Sequence, residues 1–333
     1  MRLDIAALSD IGRRKKNNED SYIVIREGAK DLRLFKEGAL VCVADGLGGH
    51  TGGEIASKLA VKIVGEIAKE KPARMPQNGE SVDERNEGPL PKVRTAIEKA
   101  NESIFQTNKD LVRTRRPMGT TVLTAIIYPK KTYIGNVGDS RCYHIRDGEI
   151  LAQTEDHSWV DEQVKMGLMS KTEAESDRRK NIVTRCVGTH EEVTVDTYRW
   201  HIVPGDMLLL CTDGLVNMIP DEEIVREFQR NASAAEIAQR LVTKANEAGG
   251  KDNITVVVVS ISPAPVRLMY MRLAGFLRRH AIGIAWALFL VVYGALAFLA
   301  GYLLRPSLEG PADGPEYELA APEDELLAPA ENL

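Results

Sequence analysis

The sequence predicts an α+β domain of two stacked antiparallel sheets flanked by helices, followed by one C-terminal transmembrane helix. Short apolar runs typical of buried strands follow one another with short turns between them, which favours antiparallel pairing over β-α-β units. Amphipathic helix patterns separate groups of these runs and must cover the outer sheet faces. Near the C-terminus, 24 consecutive residues, 281–304, carry no charge.

Residues 1–262 contain the strand and helix patterns of the predicted domain. Strands are predicted at 4–9, 22–26, 40–44, 121–128, 132–137, 141–146, 193–199, 207–211 and 254–261. Helices are predicted at 53–69, 91–107, 160–166, 221–229 and 234–248. Asp221 and Ser233 provide N-cap signals for the last two helices.

Four segments interrupt or follow this pattern. Residues 70–91, rich in Pro, Gly and Glu, predict a flexible surface insertion. Residues 161–180 predict a short, charge-rich helical subdomain. Residues 263–280 form a juxtamembrane linker, and the acidic tail at 305–333 is predicted to be disordered.

Four aspartates lie at the ends of apolar runs: Asp45, Asp139, Asp213 and Asp252. A single Asp-Gly pair is usually a turn, but four carboxylates at strand ends can converge on one site. Such carboxylates repel one another unless cations neutralise them. Mg²⁺ and Mn²⁺ prefer oxygen ligands, and a pair of these ions is a common device for hydrolysing phosphate esters.

Eight short motifs extend this pattern along the chain. They are NNED at 17–20, DGLGGHTGGEIAS at 45–57, MGTT at 118–121, VGDSR at 137–141, DHSWV at 156–160, NIVTRCVG at 181–188, TDGL at 212–215 and KDNITVVVV at 251–259. In this order they resemble the PPM family, the metal-dependent type 2C protein serine/threonine phosphatases, and the bacterial members in particular. The resemblance covers residues 1 to about 262 and implies an αββα sandwich, with residues 161–180 as the flap subdomain.

The resemblance also implies a metal site with two Mn²⁺ or Mg²⁺ ions. Asp45 would bridge them, and the carbonyl of Gly46 would contact the second. Asp213 and Asp252 would complete the first, and Asp139 with Asp213 would form a third, weaker position.

Three further residues are implied at the site. Glu19 and Asp20 correspond to an acidic pair that holds water molecules at the ions. Lys15 takes the place of an arginine that binds the substrate phosphate in many relatives. Lysine supplies a point charge without the bidentate fork, so Arg13 or Arg14 is an alternative for this role.

Other departures concern the proton donor and the third ion. Leu47 stands where eukaryotic relatives carry a candidate general-acid histidine, which leaves the acid unidentified. His50 and His157 lie nearby in sequence, although a lone histidine in a polar loop is more often structural. Asn217 stands where some relatives have another aspartate for the third ion.

Composition and charge bear on the class of protein and its location. The net charge of −5 and a pI near 5.8 argue against nucleic-acid binding. The four cysteines lack metal-site spacing and predict core packing in a reducing compartment. Residues 281–304 are long enough to span a bilayer of about 30 Å, with a buried core helix as the alternative. Arginines cluster upstream of this run, at Arg267, Arg272, Arg278 and Arg279, which predicts a cytoplasmic catalytic domain and an external tail.

The leading functional hypothesis is a membrane-anchored phosphatase of phosphoserine and phosphothreonine proteins. Its expected partners are the substrates of a serine/threonine kinase and the kinase itself. The alternatives are an inactive scaffold and a phosphatase with one dedicated substrate.

Overall fold

Two five-stranded antiparallel sheets form the centre of the fold. The structure is a computed structural model that describes residues 1–26, 38–48, 51–69, 90–111, 117–229, 232–263 and 289–304. The strands are β1 (Arg2–Asp10), β2 (Ser21–Arg26), β3 (Ala39–Ala44), β4 (Gly46–Leu47), β5 (Gly119–Thr120), β6 (Val122–Tyr128), β7 (Lys131–Val137), β8 (Arg141–Arg146), β9 (Glu149–Gln153), β10 (Asp196–His201), β11 (Met207–Cys211) and β12 (Ile254–Ser262). The first sheet has the order β1-β12-β11-β8-β9, and the second has the order β10-β7-β6-β3-β2.

Helices cover the outer faces of both sheets. The helices in the described part of this domain are α1 (Thr51–Lys69), α2 (Leu90–Leu111), α3 (Trp159–Lys165), α4 (Lys171–Ser176), α5 (Asp213–Val216), α6 (Asp221–Phe228) and α7 (Ala234–Glu247). Helices α1 and α2 lie on the second sheet, and α7 packs on β1 and β12 of the first. The predicted α+β fold with two antiparallel sheets and flanking helices is confirmed.

Three hydrophobic clusters separate the four layers. The central one lies between the sheets and contains Val41, Leu123 and Leu210, all fully buried. The second joins α1 and α2 to their sheet, and the third joins α5, α6 and α7 to the other. Because a sheet covered on both faces needs apolar side chains on both, β3 is buried at every position and reads as a continuous apolar run.

The observed elements differ from the predicted ones mainly where they are very short. The two-residue strands β4 and β5 pair with each other, and no pattern of alternation can identify so short a strand. Strand β9 was also not predicted, because it alternates between exposed and half-buried positions. Strand β10 begins at Asp196, three residues after the predicted start.

Several predictions fall on residues outside the described ranges. These are the insertion at 70–89, the linker at 264–280 and the tail at 305–333. Residues 289–303 are helical. Within the residues that the structure describes, no helix is both long and apolar enough to cross a membrane. The transmembrane helix predicted for 281–304 is therefore not supported here, and its residues 281–288 lie outside the described ranges.

Candidate active site

Acidic side chains from both sheets converge at one end of the sandwich. Asp20 directly precedes β2 and Asp45 directly follows β3, on the second sheet. On the first sheet, Asp213 follows β11 by two residues and Asp252 precedes β12 by two. Because β2 is antiparallel to β3 and β11 is antiparallel to β12, the two strand ends in each sheet lie at the same end of that sheet.

The raised pKa values at this site indicate that the carboxylates lie close together. Burial raises the pKa of Asp45 well above its usual range, and the nearby carboxylates of Asp20, Asp213, Asp139 and Asp252 raise it further. Several buried like charges cannot all ionise without a compensating cation. The predicted convergence of Asp45, Asp139, Asp213 and Asp252 is therefore present in the structure.

Asp20 is held by hydroxyl groups from the opposite sheet. Its Oδ2 accepts hydrogen bonds from Thr212 Oγ1 at 2.8 Å and from Thr255 Oγ1 at 2.7 Å. Its Oδ1 is buried without a partner among the described residues. Burial and the charges of Asp213 and Asp252 raise the pKa of Asp20 to about 7, although the two hydroxyls oppose this shift.

Asp213 is the first residue of the four-residue helix α5. Its Oδ2 accepts a hydrogen bond from Asn217 Nδ2 at 3.0 Å, while its buried Oδ1 has no partner within the described ranges. Burial and the charge of Asp252 raise its pKa. Asn217, a departure from some relatives, therefore orients Asp213 here.

Asp252 contacts Lys15, the residue that the family resemblance assigns to binding the substrate phosphate. The Nζ of Lys15 lies 2.6 Å from Asp252 Oδ1. Burial alone would lower the pKa of Lys15, but the hydrogen bond and charge of Asp252 raise it overall, with smaller contributions from Glu19 and Asp45. Lys15 is thus part of the acidic cluster, and its contact with a substrate phosphate stays a prediction.

Asn253 fixes the loop that carries Lys15 and Glu19. Its Nδ2 donates to the carbonyl oxygens of Ile11 at 2.9 Å and Asn17 at 3.0 Å. Its Oδ1 accepts from the backbone N–H of Glu19 at 2.8 Å. One amide side chain therefore holds both ends of the loop against the start of β12.

The backbone around Asp45 is equally constrained. Its N–H donates to Thr121 Oγ1 at 2.9 Å, and its carbonyl accepts from Thr120 Oγ1 at 2.8 Å. A Cβ on Gly46 would overlap the backbone of Gly53 at the start of α1. Only glycine allows this close approach, which places the Gly46 peptide beside the acidic cluster.

Asp139 lies on the connection that crosses from one sheet to the other, between β7 and β8. Burial, followed by the charges of Asp213 and Asp156, raises its pKa well above the usual range. Gly138 before it has φ +115°, a conformation that favours glycine. The N–H of Gly138 donates to His157 Nδ1 at 3.0 Å, so His157 supports this turn, whereas His50 lies outside the described residues.

The chemistry of the donors fits divalent cations, but their spacing is not that of a closed metal site. In the described part of the chain, no three His, Cys, Asp or Glu side chains are grouped tightly enough to hold an ion. The unpaired oxygens of Asp20 and Asp213 and the raised pKa values nevertheless indicate carboxylates that need a cation. Small side-chain movements would close such a site, whereas the repulsion between buried carboxylates is relieved only by protonation or by a cation.

Sequence reasoning did not identify the residues that orient this cluster. Thr212, Thr255 and Asn253 act through contacts to Asp20 and Glu19, across 192, 235 and 234 residues of chain. Their neighbours Asp213 and Asp252 were identified, but the bonds depend on how the two sheets stack. The only signal in the sequence for these orienting residues was a hydroxyl or amide side chain close to a candidate ligand.

The chain is similar to known phosphatases over this whole domain. Residues 13–248 match the family model described as Protein phosphatase 2C. The serine/threonine phosphatase stp of Listeria welshimeri is 37% identical over 254 residues, which cover 75% of this chain and 93% of that protein. The structure of the S. agalactiae serine/threonine phosphatase superposes with a TM-score of 0.67 at 32% identity, covering 78% of this chain and all of that one. The catalytic domain of the phosphatase PstP, solved in complex with two manganese ions, gives a TM-score of 0.63 at 31% identity, covering 78% and 99% of the two chains.

Proposed function

Since the chain belongs to the protein phosphatase 2C family and is a serine/threonine phosphatase, we propose that it hydrolyses phosphoserine and phosphothreonine in proteins at the acidic cluster, with two Mn²⁺ or Mg²⁺ ions. The observation that carries this proposal is the convergence of Asp20, Asp45, Asp213 and Asp252. Burial raises the pKa of Asp20, Asp45 and Asp213, and the charges of neighbouring carboxylates raise it further. Buried carboxylates that repel one another destabilise a fold, which argues against a catalytically inactive scaffold.

The residues that would hold the ions are oxygen donors of the acidic cluster. Asp45, the Gly46 carbonyl, Asp213 and Asp252 would hold the two ions. Asp139 would serve a weaker third position. When bound, the ions would ionise a water molecule near neutral pH and neutralise phosphoryl oxygens.

The other side chains at the site have positioning and binding roles. Asp20 accepts hydrogen bonds from two threonine hydroxyls, and the carboxylates of Glu19 and Asp20 would orient water beside the phosphate. The two threonine hydroxyls leave one oxygen of Asp20 available for this. Lys15 would neutralise the substrate phosphate, because its ammonium group already lies in the field of Asp252, Glu19 and Asp45.

The first prediction tests the ion ligands. Asp45→Asn, Asp213→Asn and Asp252→Asn should each lower kcat/KM on a phosphopeptide by about a hundredfold or more, because an amide is a poor substitute for a charged ligand. Steady-state assays in Mn²⁺ would measure this, and circular dichroism would confirm folding. The control is Asp147→Asn, an exposed turn residue with φ 52°, where asparagine is well tolerated. Near-normal turnover in any of the three variants would contradict the two-ion assignment.

We further propose that residues 281–304 anchor the enzyme to the membrane. The support is the uncharged 24-residue run and the arginines upstream of it. The catalytic domain would then lie at the cytoplasmic face, close to membrane-bound kinases and their substrates.

The second prediction concerns this anchor. Full-length protein should remain in the membrane fraction after a high-salt wash, and a protein ending at residue 262 should not. Replacing Leu290 and Val291 by arginines should release the full-length chain, because charges at mid-span are costly. C-terminal reporter fusions would test orientation: a signal from a reporter that works only in the cytoplasm would contradict the single span.

A further inference from the structure

A wide groove runs along the edge strands of both sheets, and Asp20 of the acidic cluster is one of its lining residues. Its walls come from β1 and β2, the outermost strands of their sheets, and from the first turns of α1. Lys16, Asn18, Tyr22, Glu54 and Lys58 also line it. The groove has a volume of about 690 Å³, which is within the range of ligand-binding clefts.

Two lysines line the groove, and one of them has no acidic partner within the described part of the chain. Lys58 pairs with Glu54 at 2.6 Å, and Lys15 pairs with Asp252 at 2.6 Å. Lys16 lines the groove and makes no ion pair with any residue that the structure describes. The two consecutive lysines therefore lie at different places: Lys15 contacts the carboxylate cluster, and Lys16 lines the groove.

The loop that carries Lys16 is held rigidly. Asn253 bonds to the carbonyls of Ile11 and Asn17, and the N–H of Arg13 donates to Gly250 O at 2.7 Å. A charge on a fixed backbone loses less conformational entropy on binding than one on a mobile loop. Tyr22 adds an apolar surface, since its side chain is 41% exposed.

We propose that this groove binds the substrate polypeptide next to the phosphorylated residue, and that Lys16 selects substrates with an acidic or second phosphorylated side chain there. This inference rests on the proposed function, because it names the class of protein substrate for the same site. A phosphate or carboxylate in the groove would compensate the charge of Lys16, while Tyr22 packs against the neighbouring peptide. Lysine binds phosphate as a point charge, so either acidic group is accepted.

The experiment compares two phosphothreonine peptides that differ only beside the phosphothreonine, one with aspartates and one with asparagines. With full-length protein in Mn²⁺, the acidic peptide should have a kcat/KM about two- to fivefold higher, the size expected for one solvent-exposed ion pair. Lys16→Gln should make the two kcat/KM values nearly equal. Lys16→Glu should make them equal or make the asparagine peptide the better substrate. Raising ionic strength should reduce the ratio in the native protein, because salt screens exposed charges.

The matched control is Lys130→Glu, which makes the same charge change in the turn between β6 and β7, at the opposite end of the second sheet. It should keep the native ratio. Equal kcat/KM values for the two peptides, or a ratio that Lys16→Glu leaves intact, would overturn the inference and leave the phosphatase assignment standing. Failure to hydrolyse either peptide would instead overturn the proposed function, and the inference with it.

Discussion

His157 illustrates at the residue scale how a buried side chain supports the site without entering it. It is 3% exposed, and its Nδ1 accepts the N–H of Gly138. Nδ1 therefore carries no proton, and Nε2 can donate to Asp196 Oδ2 at 3.1 Å. Burial lowers the pKa of His157, as does Arg185, against the opposing hydrogen bond to Asp196. The neutral imidazole thus links the turn that carries Asp139 to strand β10.

The third prediction separates the two bonds of this imidazole. His157→Asn keeps an acceptor near the position of Nδ1 and should retain most of kcat, whereas His157→Gln keeps a donor toward Asp196 and should lose about tenfold. The reason is that the bond from the Gly138 N–H to Nδ1 holds the Gly138–Asp139 turn, whereas the bond from Nε2 to Asp196 does not. Separate measurement of kcat, KM and the thermal midpoint would distinguish positioning from general loss of stability. Equal kcat values in the two variants would show that the Gly138 bond is not the important one.

At the scale of elements, a buried carboxylate ties β8 to the turn before β11. Asp206 accepts from Arg146 Nε at 2.6 Å, His144 Nε2 at 2.8 Å and the N–H of Val203 at 2.8 Å. Burial alone would raise the pKa of Asp206, but these hydrogen bonds lower it overall. A carboxylate with a lowered folded-state pKa stabilises the fold above its unfolded pKa of about 3.9.

The fourth prediction follows from that sign. The stabilisation from Asp206 should be present at neutral pH and be lost as the pH falls from about 4 through the lower folded-state pKa. Asp206→Asn should cost about 1–3 kcal/mol at pH 7, because the amide replaces the charged acceptor of the hydrogen bonds from Arg146, His144 and Val203, and it should flatten the acid limb of the stability curve. Urea denaturation at a series of pH values would measure both effects. Asp147→Asn, in the adjacent hairpin, should leave the acid limb as it is.

The element patterns explain which parts of the fold could be predicted from the sequence. Strands buried on both faces, such as β3 and β12, have continuous apolar runs that fix their type and place. Helix α5 was not predicted, because four residues are too few to show a helical period; Thr212 before it makes no side-chain cap bond and bonds to Asp20 instead. Sheet order depends on contacts between distant residues, such as β1 with β12, and was not predicted; the family resemblance implied only the αββα layering.

At the scale of the whole molecule, the acidic cluster joins the two sheets at a cost in stability. Asp20 and Asp45 belong to one sheet and Asp213 and Asp252 to the other. Burial raises the pKa of Asp20, Asp45 and Asp213, and the charges of neighbouring carboxylates raise it further. The carboxylates that we propose as cation ligands therefore repel one another across the two sheets when no cation is supplied. Stability and cation binding should be coupled through this cluster.

The fifth prediction is that Mn²⁺ reverses the effect of Asp213→Asn on stability. Saturating Mn²⁺ at about a hundred times its Kd should add roughly 2.7 kcal/mol to the free energy of unfolding, or about 5–10 °C in thermal midpoint for a domain of this size. In EDTA, Asp213→Asn should be more stable than the native protein, because one repelling charge is removed. In Mn²⁺ it should be less stable, because it has lost a ligand. Thermal unfolding of both proteins in EDTA and across a Mn²⁺ titration measures the crossover, with Asp147→Asn expected to follow the native curve. A variant that is less stable than the native protein in EDTA as well would show that Asp213 stabilises the fold itself and that repulsion at the cluster is small.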